Sequence, residues 1–203
     1  MRKRICTMII GVVFALNGYT QTNTVKVTTE YPENRDLIYL LRFHGIDFIK
    51  NEFTGENLQG KYFTLRRKDI WNGEITKIDT IVSSELFKSI GWKQIPFDTL
   101  SLNLLGSKVG DSLKVDFNFT FSTVRKYKAA DSDFYSRYSL RPVMRENIIE
   151  LNKFTPVFVY MLPYIQGNAR MYCAVEQSGH DIEDWGKQFN IVHYMIFEIM
   201  FEE

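Results

Sequence analysis

Leu113-Lys114-Val115-Asp116-Phe117-Asn118-Phe119-Thr120-Phe121 is the stretch that decides the fold class. Its odd positions are all apolar and its even positions all polar. Successive side chains of an extended strand point to opposite faces, so a period of two describes a strand with one buried and one wet face.

The same pattern continues outward. Upstream, Leu100, Leu102 and Leu104 alternate with Ser101 and Asn103 as another strand. Tyr62 to Val82 reads as a β-hairpin around Asn72-Gly73, because a tight primed turn needs positive φ at both central residues. Downstream, Val157 to Leu162 is apolar on both faces and reads as a central strand. Ala169 to Glu176 is expected beside it, across a turn at Gln166-Gly167-Asn168. Ile191 to Phe201 forms the last strand, with Ile191, His193, Met195, Phe197, Ile199 and Phe201 on one face.

Four segments read as short helices. Asn34 can cap a helix running from Asp36 toward Gly45, with Asp36 at its positive end and Gly45 as its stop. Ser84 to Ile90, Pro142 to Leu151 and Asp181 to Phe189 are the others; in the second, Met144, Ile148 and Leu151 share a face. The strands are mostly sequential, which favours antiparallel pairing. The expected fold is therefore α+β: predominantly antiparallel β, as a sheet or sandwich, with three or four short helices.

The N-terminus sets the expected compartment. Met1-Arg2-Lys3-Arg4 is cationic, Ile5 to Leu16 is almost wholly apolar, and Asn17-Gly18-Tyr19-Thr20 breaks the run. That is the layout of a secretory signal peptide. The apolar run is about twelve residues, against roughly twenty for a membrane-crossing helix. Residues 1–20 are read as a cleaved signal and 21–203 as one β-rich domain, its Thr-rich lead-in over 21–34 being flexible or a short edge strand. Cys6 lies at the front of the run and not at its end, so no lipid anchor is expected. The expected location is periplasmic or extracellular, with no membrane attachment after cleavage.

Removing Arg2, Lys3 and Arg4 changes a formal charge of +1 (25 basic against 24 acidic residues) into −2 (22 against 24). A near-neutral protein has no electrostatic reason to seek nucleic acid. Arg66-Arg67-Lys68 and Arg125-Lys126-Tyr127-Lys128 accordingly read as solvated edges or faces, where Lys also discourages strand addition. Cleavage leaves Cys173 as the sole thiol, read as a buried, inert side chain on the face of Met171 and Val175.

Candidate chemistry is sparse. Glu176-Gln177-Ser178-Gly179-His180-Asp181-Ile182-Glu183-Asp184-Trp185 is the densest polar cluster. Carboxylates and a His are ligand types for zinc or calcium, which makes Glu176, His180, Asp181 and Asp184 the candidate metal ligands. Their spacing matches no established metal pattern, and acids in a first helical turn follow from the helix dipole alone. The aromatic stretch Asp133 to Ser139 offers Tyr135, Arg137 and Tyr138 as ligand-binding candidates, with Trp185, since exposed Tyr, Trp and Arg favour binding hot spots. His44 reads as a helix C-terminal residue and His193 as a hydrogen-bonded core His. No Gly-x-Ser-x-Gly elbow or His-Glu-x-x-His motif occurs.

Asp79-Thr80-Ile81, Asp98-Thr99-Leu100 and Asp111-Ser112-Leu113 share a pattern that some exported Gram-negative proteins use as O-glycan acceptors. The chain is thus expected to be an exported, non-catalytic binding or interaction module for a protein or carbohydrate ligand, without a cofactor. The alternatives are a secreted hydrolase using acids near His180 and an envelope assembly protein that pairs through an edge strand.

Overall fold

The computed structural model of the chain describes residues 24–56, 58–86, 94–131, 137–144, 147–172 and 181–202. Among these residues the elements run β1 (Thr24–Glu30), α1 (Arg35–Phe43), β2 (Ile46–Thr54), β3 (Tyr62–Trp71), β4 (Glu74–Ser83), β5 (Thr99–Val109), β6 (Ser112–Asn118), β7 (Ser122–Lys128), β8 (Ser139–Pro142), β9 (Ile148–Glu150), β10 (Thr155–Met161), β11 (Tyr164–Gln166), β12 (Ala169–Met171), a 3-10 turn (Ile182–Asp184), α2 (Trp185–Phe189) and β13 (His193–Glu202). Six strands form one sheet in the order β7-β6-β5-β2-β1-β9, and five form a second in the order β4-β3-β13-β10-β8. The pairings are antiparallel. The fold is a β-rich α+β arrangement with few helices.

The two sheets face each other across an aromatic and aliphatic core. Phe53 of β2 meets Phe201 of β13 at 5.5 Å between ring centres, and Phe117 of β6 meets Phe197 of β13 at 5.3 Å. Such edge contacts suit the ring quadrupole and add to the burial of large apolar surfaces. Gly106 of β5 lies under the Tyr160 ring of β10, where a Cβ would come within 3.1 Å of it. β13 is the central element. It pairs with β3 from His193–Trp71 to Glu202–Tyr62 and with β10 on its other side. It is buried on both faces, which is why its apolar run reads as nearly continuous. It offers no free edge, so assembly by strand addition at Ile191 to Phe201 has nothing to pair with.

Several local expectations hold. Asn34 Oδ1 accepts from Leu37 N–H at 3.0 Å and caps α1, while His44 closes it, with its N–H donating to Leu40 O. Asn72 and Gly73 both take positive φ in the β3–β4 turn. Others are corrected. The described residues hold two α-helices, not three or four. Within the described residues Pro142 to Leu151 is not a helix: Pro142 ends β8, Ile148–Glu150 is β9, paired with β1, and Ile149 is fully buried. A waiting strand partner and the β-branched pair Ile148-Ile149 override a three-point helical pattern. Ser84 to Ile90 keeps only one 3-10 turn over 84–86 within the described residues. β1 is an ordered strand over Thr24–Glu30, paired with β2 along Lys26–Glu30 and with the short β9 over Thr24–Lys26, so this part of the lead-in is not flexible. β12 follows the expected turn but pairs with β11, not β10, whose neighbours are β13 and β8. Pro163, lacking an N–H, sits just where β10 ends, and the chain turns off into a separate hairpin. Cys173 lies outside the described residues, and no described helix is long and apolar enough to cross a membrane.

The Asn72-Gly73 turn is pinned onto α2. Asn72 N–H donates to Val192 O at 2.8 Å, and the Gly73 backbone packs on Gly186. A Cβ on Gly186 would lie 2.6 Å from Gly73 Cα and 2.7 Å from Gly73 N, closer than real contacts allow. Gly186→Ala should therefore lose stability, by about 1–3 kcal/mol as for other overpacked sites, although Ala is the better helix former. Urea unfolding of the variant checks this; unchanged or increased stability would contradict the close approach.

Candidate functional site

The described residues place the sequence candidates in two segments: Arg137 and Tyr138 just before β8, and Asp181, Asp184 and Trp185 at the 3-10 turn and the start of α2. Tyr138 is buried, with its ring against His193 and Tyr160. Trp185 is buried against Tyr194, and its Nε1 has no hydrogen-bond partner. Arg137 is exposed and its carbonyl accepts from Tyr172 OH. Asp181 caps the 3-10 turn, its Oδ1 accepting from Glu183 N–H at 3.0 Å, and Asp184 is exposed. Tyr135, Glu176 and His180 lie outside the described residues. Among the described residues no group of three His, Cys, Asp or Glu side chains gathers as a metal site.

The structure brings together a polar chain that the sequence did not announce. Arg67 and Asp69 share the inner face of β3 with Leu65 and Trp71, opposite His193, Met195, Phe197 and Ile199 of β13. Arg67 is 3 % exposed. Its Nε donates to Asp79 Oδ1 at 2.9 Å, one Nη lies 3.4 Å from Asp69 Oδ2, and its guanidinium covers the Tyr127 ring. Asp69 Oδ1 lies 2.8 Å from His193 Nε2, and His193 Nδ1 lies 2.5 Å from Tyr138 OH, which also accepts from Ala130 N–H. Trp71 stacks on the imidazole at 4.0 Å. The bonds close when Nε2–H donates to Asp69 and Tyr138 O–H donates to Nδ1; a second proton on Nδ1 would leave the phenol hydrogen without an acceptor.

A Tyr–His–Asp line resembles a relay for activating a hydroxyl, but its atoms are already engaged. Both imidazole nitrogens, the phenol oxygen and the facing carboxylate oxygen have protein partners. Burial pushes the Tyr138 phenol well above its ordinary value of 10.0, the wrong direction for a nucleophile. The line acts as a polar cross-link between β3, β13 and the residues leading into β8. Its counterpart on the outer face ties Arg66 and Lys68 to Glu198, at 2.6 and 2.9 Å, with Lys68 also bonded to Glu183. The Arg66-Arg67-Lys68 run is thus the middle of an inner strand, paired at every residue, and not a solvated edge. The signal for it was present: a charged triplet inside an otherwise apolar hairpin arm needs buried acids to answer it.

The concave feature lies at another end of the sandwich. A cavity of about 790 Å³ is lined by Phe63, Ile95, Phe97, Leu100, Phe119 and Phe121, with Asp98, Ser101 and Thr120 among its polar groups. It exists because β6 stops at Asn118: Phe119 N–H donates to Phe121 O at 2.8 Å, and the tight turn holds both rings on one side, 5.5 Å apart. The opposite wall is held as firmly. Ile95 exchanges backbone bonds with Gly60 and Lys61, Asp98 O accepts from Gly55 N–H, and Pro96 O accepts from the Gln59 side chain. Phe97 on that wall is 69 % exposed. The clean alternation over 113–121 hid this site, since it reads as strand to its end.

No protein-family model matches the chain, and no curated protein or solved structure matches it either.

Two outcomes follow from the buried polar groups. Tyr138→Phe removes the hydroxyl but leaves His193 Nδ1 and Ala130 N–H buried and unpaired, so it should cost about 2–4 kcal/mol in urea unfolding; a loss below about 0.5 kcal/mol would show that the chain carries no stability. The alkaline limb is the second. Burial holds the Tyr127, Tyr138 and Tyr160 phenols well above 10.0 and pushes Tyr194 up to about 12. Burial pulls the Lys68 ammonium down, but Glu183 and Glu198 outweigh it and leave it above 10.5. In each case the folded chain holds a proton that the unfolded chain releases near pH 10. Their contribution is intact below that pH and lost as pH rises through the folded values. The urea midpoint should stay level up to about pH 9.5 and fall steeply beyond it, with tyrosinate absorbance appearing together with unfolding.

Proposed function

We propose that the chain is an exported, non-catalytic binding protein whose phenylalanine-lined cavity takes a small apolar ligand. The observation that carries this reading is the cavity itself. Its volume falls within the range of small-molecule sites, its lining is predominantly apolar, and its walls are tied down by backbone hydrogen bonds. A preformed site loses little conformational freedom on binding. Phenylalanine offers a flat apolar face and no hydrogen bond, which favours a hydrocarbon or aromatic body over a polar sugar, while Asp98 and Thr120 suit a polar end. Export rests on the cationic, apolar and turn-forming order of Met1 to Thr20. The Tyr138–His193–Asp69 line lends a hydrolase no support, because its bonded atoms already have partners.

Titration with N-phenyl-1-naphthylamine, a neutral apolar fluorophore, tests the cavity. Saturable brightening is expected, and Phe97→Ala or the cavity-filling Ser101→Trp should each weaken it by about tenfold, the worth of roughly 1.4 kcal/mol of lost apolar contact. No saturable signal, or two variants that bind like the parent, would overturn the reading. Native mass spectrometry of the protein from its own host reads the rest: a chain beginning near residue 20 with an apolar small molecule bound supports the proposal, and an intact Met1 contradicts export.

A further inference from the structure

Away from that cavity, a groove of about 510 Å³ runs beneath α1, between the helix and the β2–β8 side of the sandwich. Ile38 and Leu41 of α1 form its roof, Phe48 of β2 and Leu140 of β8 its floor, and Arg42 and Arg141 contribute two guanidinium groups. Neither Arg42 nor Arg141 forms an ion pair among the described residues; the Arg141 guanidinium lies 5.1 Å from the centre of the Tyr172 ring, and its Nε is buried without a hydrogen-bond partner. A buried, unpaired guanidinium N–H is unfavourable by more than a neutral one and calls for an acceptor. The acid beside it is already engaged. Asp47 Oδ2 accepts from Leu140 N–H at 2.8 Å, which ties β8 to β2, and burial pushes the Asp47 carboxyl above its ordinary value despite the nearby Arg141 charge. The helix shows a matching deficit. α1 buries none of its nine residues, and Ile38 and Leu41 are only half-covered where they face the groove.

We propose that the groove beneath α1 binds a small amphipathic carboxylate, its apolar body lying between α1 and the β2–β8 floor and its carboxylate taken by Arg141 and Arg42. Guanidinium presents a planar fork of donors that matches a carboxylate. The apolar body completes the burial of Ile38 and Leu41. The site is separate from the phenylalanine cavity and shares no residue with it.

Decanoate, decanol and decylammonium are the probes, titrated by calorimetry against the full chain, with hydrogen exchange followed across α1. Decanoate should bind saturably and slow exchange over residues 35–43, while decanol and decylammonium bind at least tenfold more weakly there. Arg42→Gln, at an exposed position, and Arg141→Lys, which keeps the charge but lacks the Nε donor, should each weaken decanoate at least fivefold. Ser101→Trp should leave it unchanged. Equal binding of decanol, decanoate affinity untouched by both arginine variants, or loss of decanoate binding in Ser101→Trp would overturn the proposal; the last result would assign the fatty acid to the other cavity and leave that reading standing.

Discussion

Charge on the inner face of a sandwich is the constraint around which this structure is arranged. Arg67 and Asp69 project from β3 into the space where Phe117, Phe197 and Phe201 pack. A buried guanidinium or carboxylate without a partner is far more unfavourable than any single apolar contact is favourable. Each neighbour therefore answers a need. Asp79 of β4 takes the Arg67 Nε–H, Tyr127 of β7 lies under the guanidinium, and His193 of β13 meets Asp69. His193 in turn needs Tyr138, and Tyr138 holds Ala130. β3, β4, β7, β13 and the residues leading into β8 must all arrive together for the charges to be satisfied. That requirement selects one register for the β3–β13 pair, since a slip by one residue would carry Arg67 and Asp69 to the outer face and bring Arg66 and Lys68 inside.

The outer face of the same two strands repeats the arrangement with different residues. Glu198 lies between Arg66 and Lys68, and Lys68 reaches on to Glu183 in the 3-10 turn before α2. Tyr194 OH accepts from Gly186 N–H and lies 2.9 Å from two carbonyls of that turn. β13 is thereby covered on the side away from the six-stranded sheet, and the Asn72-Gly73 turn is caught against α2. A rigid, two-sided centre leaves openings only at the periphery, where β6 ends early and where α1 rests over β2. The phenylalanine-lined cavity and the groove beneath α1 lie at those places.

The sheet was legible because its signals are local. Alternation over 113–118, the Asn-Gly turn and the two-sided apolar run of the last strand each follow from the geometry of an extended chain, whatever it packs against. The N-cap at Asn34 and the stop at Gly45 were legible for the same reason. Ile148-Ile149 was misread because Met144, Ile148 and Leu151 satisfy a helical period equally well, and only the presence of β1 alongside decides for a strand. The hairpin at Gln166-Gly167-Asn168 was legible as a turn, but its partner was not, because pairing is a property of two segments. Trp185 and Tyr138 are ligand-binding candidates on sequence, and both rings are buried; the pattern around a single ring does not say which side of it is covered.

By itself the sequence determined which residues can form strands, where tight turns fall, and that the core is built from Phe, Ile, Leu and Val. Those follow from backbone sterics and side-chain alternation, which act within a few residues. Tertiary structure decided the rest. It set the strand order that makes β13 central, the partners that turn Arg66-Arg67-Lys68 from a surface patch into buried ion pairs, and the break after Asn118 that converts the end of a strand into a cavity wall. Each of those depends on which distant group is present to accept a hydrogen bond, neutralise a charge or fill a volume. Such energies belong to pairs of segments and not to either one alone.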